Sequence, residues 1–203
     1  MKILLLCPMA DGQTGPAWKH ALERLGHKVM EVDAKLTPQN SYNASLQFKP
    51  DLIFCSRTKA LTEEVMKIKQ TFKNVVACMW NVDTRNTVGE WAHLFPLIKV
   101  VDYHFVVEFN LLNDWRKLNA KTYWLSQGLQ DEVYDKPREI TKEDSIKYMC
   151  DICFCGCMSG KHHPIRKTAI RAIRQAGVKS NYWGCFHRPR IYNEEHNKQV
   201  ALA

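Results

Sequence analysis

The sequence predicts an α/β protein: a Rossmann-like, doubly wound parallel sheet, followed by the start of a second Rossmann-like domain. Three observations carry this expectation. Short apolar runs bounded by turn residues recur along the first 130 residues, and a stretch of helical periodicity follows each run. Strands alternating with helices imply βαβ units, whose right-handed crossovers cover both faces of a parallel sheet. The 203 residues are 45% hydrophobic and include 6 Trp, 8 Phe and 7 Tyr, enough to bury a core and too many for a disordered chain.

The elements follow in order. KILLLC, residues 2–7, ends at Pro8 and reads as a buried parallel strand. Residues 11–15 form a loop. A helix is expected from Pro16, a residue suited to the first helical turn. Ala17, Ala21, Leu22 and Leu25 recur at helical spacing, and Gly26 ends the helix. Residues 27–33 give a second strand, and 38–48 a helix. Residues 51–56 give a third strand, and 61–72 an amphipathic helix with Leu61, Val65, Ile68 and Phe72 inward. Residues 74–80 read as a fourth strand and 88–97 as a short helix. Residues 103–107 read as a fifth strand, 110–118 as a helix and 121–125 as a sixth strand.

Residues 131–148 break this rhythm with polar, charged sequence and Pro137, and read as a linker. The pattern restarts in residues 149–203: a strand at 151–157, a turn at Ser159 and Gly160, a helix at 164–175 and a strand at 178–183. One βαβ unit cannot bury both faces of a sheet. This region therefore reads as an incomplete carboxy-terminal domain.

Charge and length exclude some classes. The run Ile3–Cys7 is too short for the apolar core of a signal peptide, and no stretch approaches the ~20 apolar residues of a membrane helix. A cytoplasmic protein is expected, with its 8 cysteines reduced. The formal charge is +8, from 29 Lys and Arg against 21 Asp and Glu. Such an excess is expected mostly on solvated helix faces. The exception is a dense group formed by Lys161, His162, His163, Arg166, Lys167, Arg171 and Arg174.

Open α/β sheets bind ligands at the carboxyl ends of their strands. There the sequence places Asp11, Gly12 and Gly15 after the first strand, Arg57 after the third, Trp80, Asn81 and Asp83 at the fourth, and Glu108 after the fifth. Asp83 or Glu108 can serve as a general base, which needs a carboxylate within hydrogen-bond reach of a hydroxyl. Each has a structural alternative: Asp83 as a helix cap, Glu108 at a helix start. The loop at 12–15 lacks the G-x-G-x-x-G fingerprint of a dinucleotide site.

Gly156, Ser159, Gly160, Lys161 and Arg166 surround a turn before a helix, where free N–H groups and basic side chains attract phosphate. The turn is one residue short of a Walker loop and ends in His162. Cys150, Cys153, Cys155 and Cys157 lie close together, and Cys150-x-x-Cys153 has zinc-like spacing. Yet three of them alternate along one strand face, ~6.6 Å apart along the backbone, so no metal is expected.

Residues 11–33, with the phrase Ala21-Leu22-Glu23-Arg24-Leu25-Gly26-His27-Lys28-Val29, resemble the opening of GT-B glycosyltransferases. Tyr123-Trp124-Leu125-Ser126-Gln127-Gly128-Leu129 resembles the segment that closes their amino-terminal domain. Asp151–Cys157, Arg166 and Tyr182-Trp183-Gly184 resemble the start of their donor domain, in particular that of the spore-maturation glycosyltransferase family. The resemblance implies an acceptor-side domain over residues 1–130 and a donor-side domain cut short at Ala203. It implies a nucleotide-sugar as co-substrate, no permanently bound cofactor, and an acceptor facing the carboxyl edge with Asp83 or Glu108 as base. Gly156, Ser159, Gly160, Lys161 and Arg166 would then hold the donor diphosphate. A rival reading is a non-catalytic Rossmann-like module binding a nucleotide, or nucleic acid through Arg166, Lys167, Arg171, Arg174, Arg188 and Arg190. A third is a zinc module built on the cysteines.

Overall fold

The computed structural model describes residues 1–10, 13–128, 139–156 and 164–183. The chain divides into two compact units, Met1–Gly128 and Leu129–Ala203.

The first unit holds six parallel strands: β1 (Lys2–Cys7), β2 (Lys28–Asp33), β3 (Leu52–Cys55), β4 (Val76–Asn81), β5 (Tyr103–Val106) and β6 (Thr122–Trp124). Their order across the sheet is β2-β1-β3-β4-β5-β6. Every connection is a helical crossover: α1 (Thr14–Arg24), α2 (Ser41–Phe48), α3 (Leu61–Thr71), α4 (Phe95–Val100) and α5 (Leu112–Arg116). This is the doubly wound Rossmann-like sheet expected from the alternating pattern.

Strand alternation sorts the core into two layers. Leu4, Leu6, Ile53, Cys55, Ala77, Met79 and Val106 face α2 to α5 and meet Leu61, Val65, Ile68, Leu97, Ile98 and Trp115. Leu5 and Cys7 face the other way and meet Trp18 of α1, with Leu22, Val29, Phe54 and Trp80 packed around them. Burying one such aliphatic side chain stabilises the fold by roughly 1.5–3 kcal/mol.

The glycines that shape α1 act in different ways. Gly26 adopts a left-handed φ of 80°, and its N–H and that of His27 return to the Glu23 and Leu22 carbonyls at 2.9 and 3.2 Å. That pattern closes the helix as a Schellman motif. Gly15 lies in the first turn, where a Cβ would stand 2.4 Å from the Pro8 carbonyl oxygen. Helix α1 therefore begins two residues before Pro16, and Gly15 lets it pass against the end of β1.

One predicted helix changes form and runs on to Val100, and another is shorter than expected. Residues 88–97 split into a 3-10 stretch, Val88–Leu94, and α4. The stretch before α4 opens on a capping box, in which Thr87 and Glu90 satisfy each other's backbone N–H groups. Residues 110–118 shorten to α5, after a 3-10 turn at Phe109–Leu111.

His104 on β5 is fully buried on the α5 side, with its ring 5.0 Å from that of Trp115 and Nδ1 3.4 Å from Thr122 Oγ1. Burial pushes its pKa down to about 3. The folded protein keeps the ring neutral while the unfolded chain protonates near pH 6.5. The unfolded state therefore gains protons as pH falls from 6.5 towards 3, and stability is lost across that window. His104→Gln removes this term. In urea unfolding, the wild type is expected to lose about 1 kcal/mol per pH unit more than the variant between pH 6 and 4.

The second unit contains α6 (Lys142–Tyr148), β7 (Ile152–Cys155), α7 (Pro164–Gln175) and β8 (Ser180–Trp183). β7 and β8 pair in parallel, so β7-α7-β8 is the expected βαβ unit. The segment read as a linker contains a helix. α6 starts on a capping box between Thr141 and Asp144, with Oγ1 accepting the Asp144 N–H at 3.0 Å. The Thr-x-x-Asp signature is visible in the sequence.

Candidate functional site at the carboxyl edge of the sheet

The strand order reverses beside β1. The chain goes one way from β1 to β2, then crosses back to β3. The carboxyl ends of strands at such a reversal form a crevice, the usual ligand site of open α/β sheets. Asp33, at the end of β2, holds the loop there: its carboxylate accepts the N–H groups of Met9, Lys35 and Leu36 at 3.1, 2.8 and 2.9 Å. Burial raises its pKa, but the three N–H groups outweigh burial and hold it below the usual value.

The polar side chains gather further along, at the ends of β3, β4 and β5. Arg57 follows β3 and Asp83 follows β4. Their charged ends meet at 2.5 Å, both about one-third exposed. The Arg57 guanidinium also stands 5.6 Å from the Trp91 ring centroid, and that of Arg85 stands 4.6 Å from the same ring. The buried Trp91 thus carries two cations and one carboxylate at its margin. Cation–π contacts of this kind are worth roughly 0.5–2 kcal/mol each.

Glu108, after β5, is buried at 3% exposure. Its carboxylate accepts the Arg85 backbone N–H, the Trp91 indole N–H at 3.4 Å and the Trp115 indole N–H at 3.0 Å. Both oxygens are occupied. Glu108 therefore pins the loop after β4 to the helical layer, and it does not head a helix as a free acidic residue. Of the two predicted carboxylates, Asp83 is the one that meets solvent.

Asn81 and Trp80 separate. Asn81 shares a face with Ala77 and Met79, and Trp80 points to the opposite one. Asn81 ends β4 two residues past Met79, paired with Val106 of β5. Its amide is fully buried, and among the described residues neither Nδ2 nor Oδ1 has a hydrogen-bond partner. Trp80 stacks on Trp18 at 5.2 Å between ring centroids, and its indole N–H reaches the Leu125 carbonyl at 3.3 Å. It belongs to the core under α1.

The predicted residues therefore fall into groups. Arg57 and Asp83 come together, Asn81 ends the strand that leads to Asp83, and Glu108 supports the loop at Arg85. Gly15 packs and has no room to touch a ligand. Asp11 and Gly12 lie outside the described residues. Trp91, Arg85 and Trp115 escaped sequence reasoning, although a tryptophan pair flanking an acidic strand end was a signal to pursue.

In the second unit, Gly156 has a left-handed φ of 155°, and a Cβ there would stand 3.5 Å from Arg166 Nη1. Arg166 lies with its guanidinium 5.7 Å from the Phe154 ring centroid. These two predicted phosphate-site residues are neighbours. Ser159, Gly160 and Lys161 lie outside the described residues.

Cys7, Cys55, Cys78 and Cys153 are held as thiols. Burial pushes Cys7 and Cys78 up to about 12, and raises Cys55 as well. Burial together with hydrogen bonding to Cys155 pushes Cys153 up to about 11. Cys153 Sγ and Cys155 Sγ are 3.7 Å apart, closer than the backbone spacing implies. Among the described residues, no group of three His, Cys, Asp or Glu side chains is arranged to hold a metal ion. Among them also, no helix is long and apolar enough to cross a membrane.

The architecture defines a class: an α/β protein built on a doubly wound, Rossmann-like parallel sheet, with its polar cluster at the carboxyl edge. The chain is similar in structure to a lipopolysaccharide outer core galactosyltransferase, WaaB, solved in its apo form. The TM-score is 0.53 at 10% identity, over 92% of this chain and 68% of that one. At that identity the likeness concerns the fold. No family model and no curated protein matches the sequence.

Proposed function

We propose that this chain is a glycosyltransferase polypeptide whose first unit receives the acceptor at the carboxyl edge of β3 and β4. In this reading a nucleotide-sugar is the co-substrate, and no cofactor is permanently bound. The observation that carries it is the solvent-reaching carboxylate of Asp83, held by Arg57 at the edge where such sheets take ligands. The GT-B-type fold supports the same reading.

Asp83 is the general base. Arg57 binds Oδ2 and orients the group, leaving Oδ1 for an acceptor hydroxyl. The carboxylate takes the hydroxyl proton as the oxygen bonds to the anomeric carbon and the diphosphate departs with the electrons of its bond. Gly156 and Arg166 sit beside a helix start in the second unit and suit a diphosphate, which charge-assisted N–H donors stabilise. Membership of the spore-maturation family, with that family's site residues, is part of this proposal.

The rival is a non-catalytic binding module. It has one observation in its favour: Lys167, Arg171 and Arg174 of α7 are exposed. A panel of nucleotide-sugars and acceptors decides between the two. Transfer or donor hydrolysis is expected for one nucleotide-sugar. Asp83→Asn is expected to lower turnover by about 10²–10⁴ while nucleotide-sugar affinity stays unchanged. An Asp83→Asn protein with wild-type turnover removes this residue as base. A wild type that binds no nucleoside diphosphate sugar in calorimetry sinks the transferase reading.

A further inference from the structure

We infer that the acceptor taken at this edge carries an oxyanion, a carboxylate or a phosphate, near the hydroxyl that reacts, and that Arg85 grips it. The inference rests on the acceptor-site reading above and names the class of molecule that site accepts.

The first ground is charge. Two guanidiniums lie against Trp91, and the partly exposed carboxylate of Asp83 beside them is bound to Arg57. Of the other acids here, Glu108 is buried and spends both oxygens on three N–H donors, and Glu90 turns Oε1 to the Asn86 and Thr87 N–H groups. One of those donors is the backbone of Arg85 itself, so the residue is tied to Glu108 without its charge being met. The Arg85 side chain makes one hydrogen bond, from Nη1 to the Thr84 carbonyl at 2.9 Å. Among the described residues it forms no ion pair. A partly buried cation without a counter-ion is the half of a salt bridge that an anionic ligand completes.

The second ground is preorganisation. The backbone of Arg85 is fixed by Glu108 and its guanidinium lies over Trp91. A guanidinium held on its face by an aromatic ring keeps its edge N–H groups for a planar or tetrahedral oxyanion, and little rotamer entropy remains to be lost on binding.

The third ground is Asn81. Among the described residues its buried amide, at the end of the strand that leads to Asp83, has a donor and an acceptor without partners, which a native fold rarely leaves unused. An oxyanion for Arg85, with hydroxyls for Asp83 and Asn81, describes an acidic sugar or a sugar phosphate.

The test titrates the chain with glucose, glucuronate, glucose 6-phosphate and inorganic phosphate. Calorimetry gives the affinity, and the Trp91 indole N–H resonance, assigned with Trp91→Phe, reports the place. Glucuronate or glucose 6-phosphate is expected to bind about 10–100-fold tighter than glucose, the effect of one charge-assisted hydrogen-bonded pair. Inorganic phosphate should compete and shift the same resonance. Comparing glucuronate with glucose 6-phosphate tells the carboxylate from the phosphate.

Arg85→Gln keeps the backbone N–H that Glu108 needs, so the loop is retained. It should bring the acidic sugars to the affinity of glucose. Lys117→Gln removes the same charge from an exposed residue paired with Asp114, and should change nothing. Equal binding of acidic and neutral sugars overturns the inference, as does a loss in Arg85→Gln no larger than in Lys117→Gln. Loss of nucleotide-sugar binding in Arg85→Gln also overturns it, by giving this arginine to the donor. A wild type that binds acidic sugars through Arg85 but no nucleotide-sugar keeps the oxyanion site and sinks the transferase reading, so the two fail separately.

Discussion

Replacing Glu108 with alanine is expected to lower the melting temperature of the six-stranded unit by about 10–20 °C. The change leaves the Arg85 N–H and two indole N–H groups without an acceptor, in a place from which water is excluded. Unmet buried donors and a broken buried network cost about 3–5 kcal/mol together. For a unit of this size each kcal/mol shifts the melting temperature by roughly 3–5 °C. Glu108→Gln keeps one acceptor oxygen but turns an N–H₂ towards a donor, so about half the loss is expected. Thermal unfolding followed by circular dichroism reads both. If both variants melt within 3 °C of the wild type, the carboxylate is not the pin of this loop, and the general-base role returns to it.

The second large effect is at Gly15. Any Cβ there meets the Pro8 carbonyl oxygen at 2.4 Å, the Met9 sulfur at 2.6 Å and the Cys7 sulfur at 2.7 Å. The methionine tip can turn away, but the backbone carbonyl moves only with the end of β1. Gly15→Ala is therefore expected to destabilise the unit by about 3 kcal/mol, the upper range for overpacking, and to lower its melting temperature by about 10 °C. Gly128→Ala is the control, because nothing lies within 4 Å of its Cβ position. Chemical denaturation of the two variants side by side checks this. Equal midpoints would mean that α1 slides freely over β1, and Gly15 would then be open to a ligand.

The loop after β4 holds the lesson for the site. Thr87-Val88-Gly89-Glu90 is a capping signature that stands plainly in the sequence, and it anchors the stretch that delivers Trp91. What delivers Trp91 to Glu108 is the pairing of β4 with β5, in the register Asn81 to Val106. No local pattern states that register. Asp83 and Glu108 therefore look alike in sequence, each an acid following a strand. The fold separates them: one reaches solvent on Arg57, and the other is buried under two indoles.

The sequence by itself determined the repeating units. Runs such as Ile3–Cys7 are apolar on both sides because both faces of a parallel strand are buried, and helices such as α3 show one apolar stripe because only one side is. It also determined which residues stand at the carboxyl edge, since that depends only on where each strand stops. The tertiary structure decided the rest. It chose the faces of Trp80 and Asn81, brought Arg57, Asp83 and Arg85 around one tryptophan, tightened the start of one helix into a 3-10 stretch and shortened another. Hydrophobic periodicity is a local property of one segment, whereas a salt bridge, a buried carboxylate or an unpaired amide is made between segments far apart in the chain. Only packing and strand register bring those together.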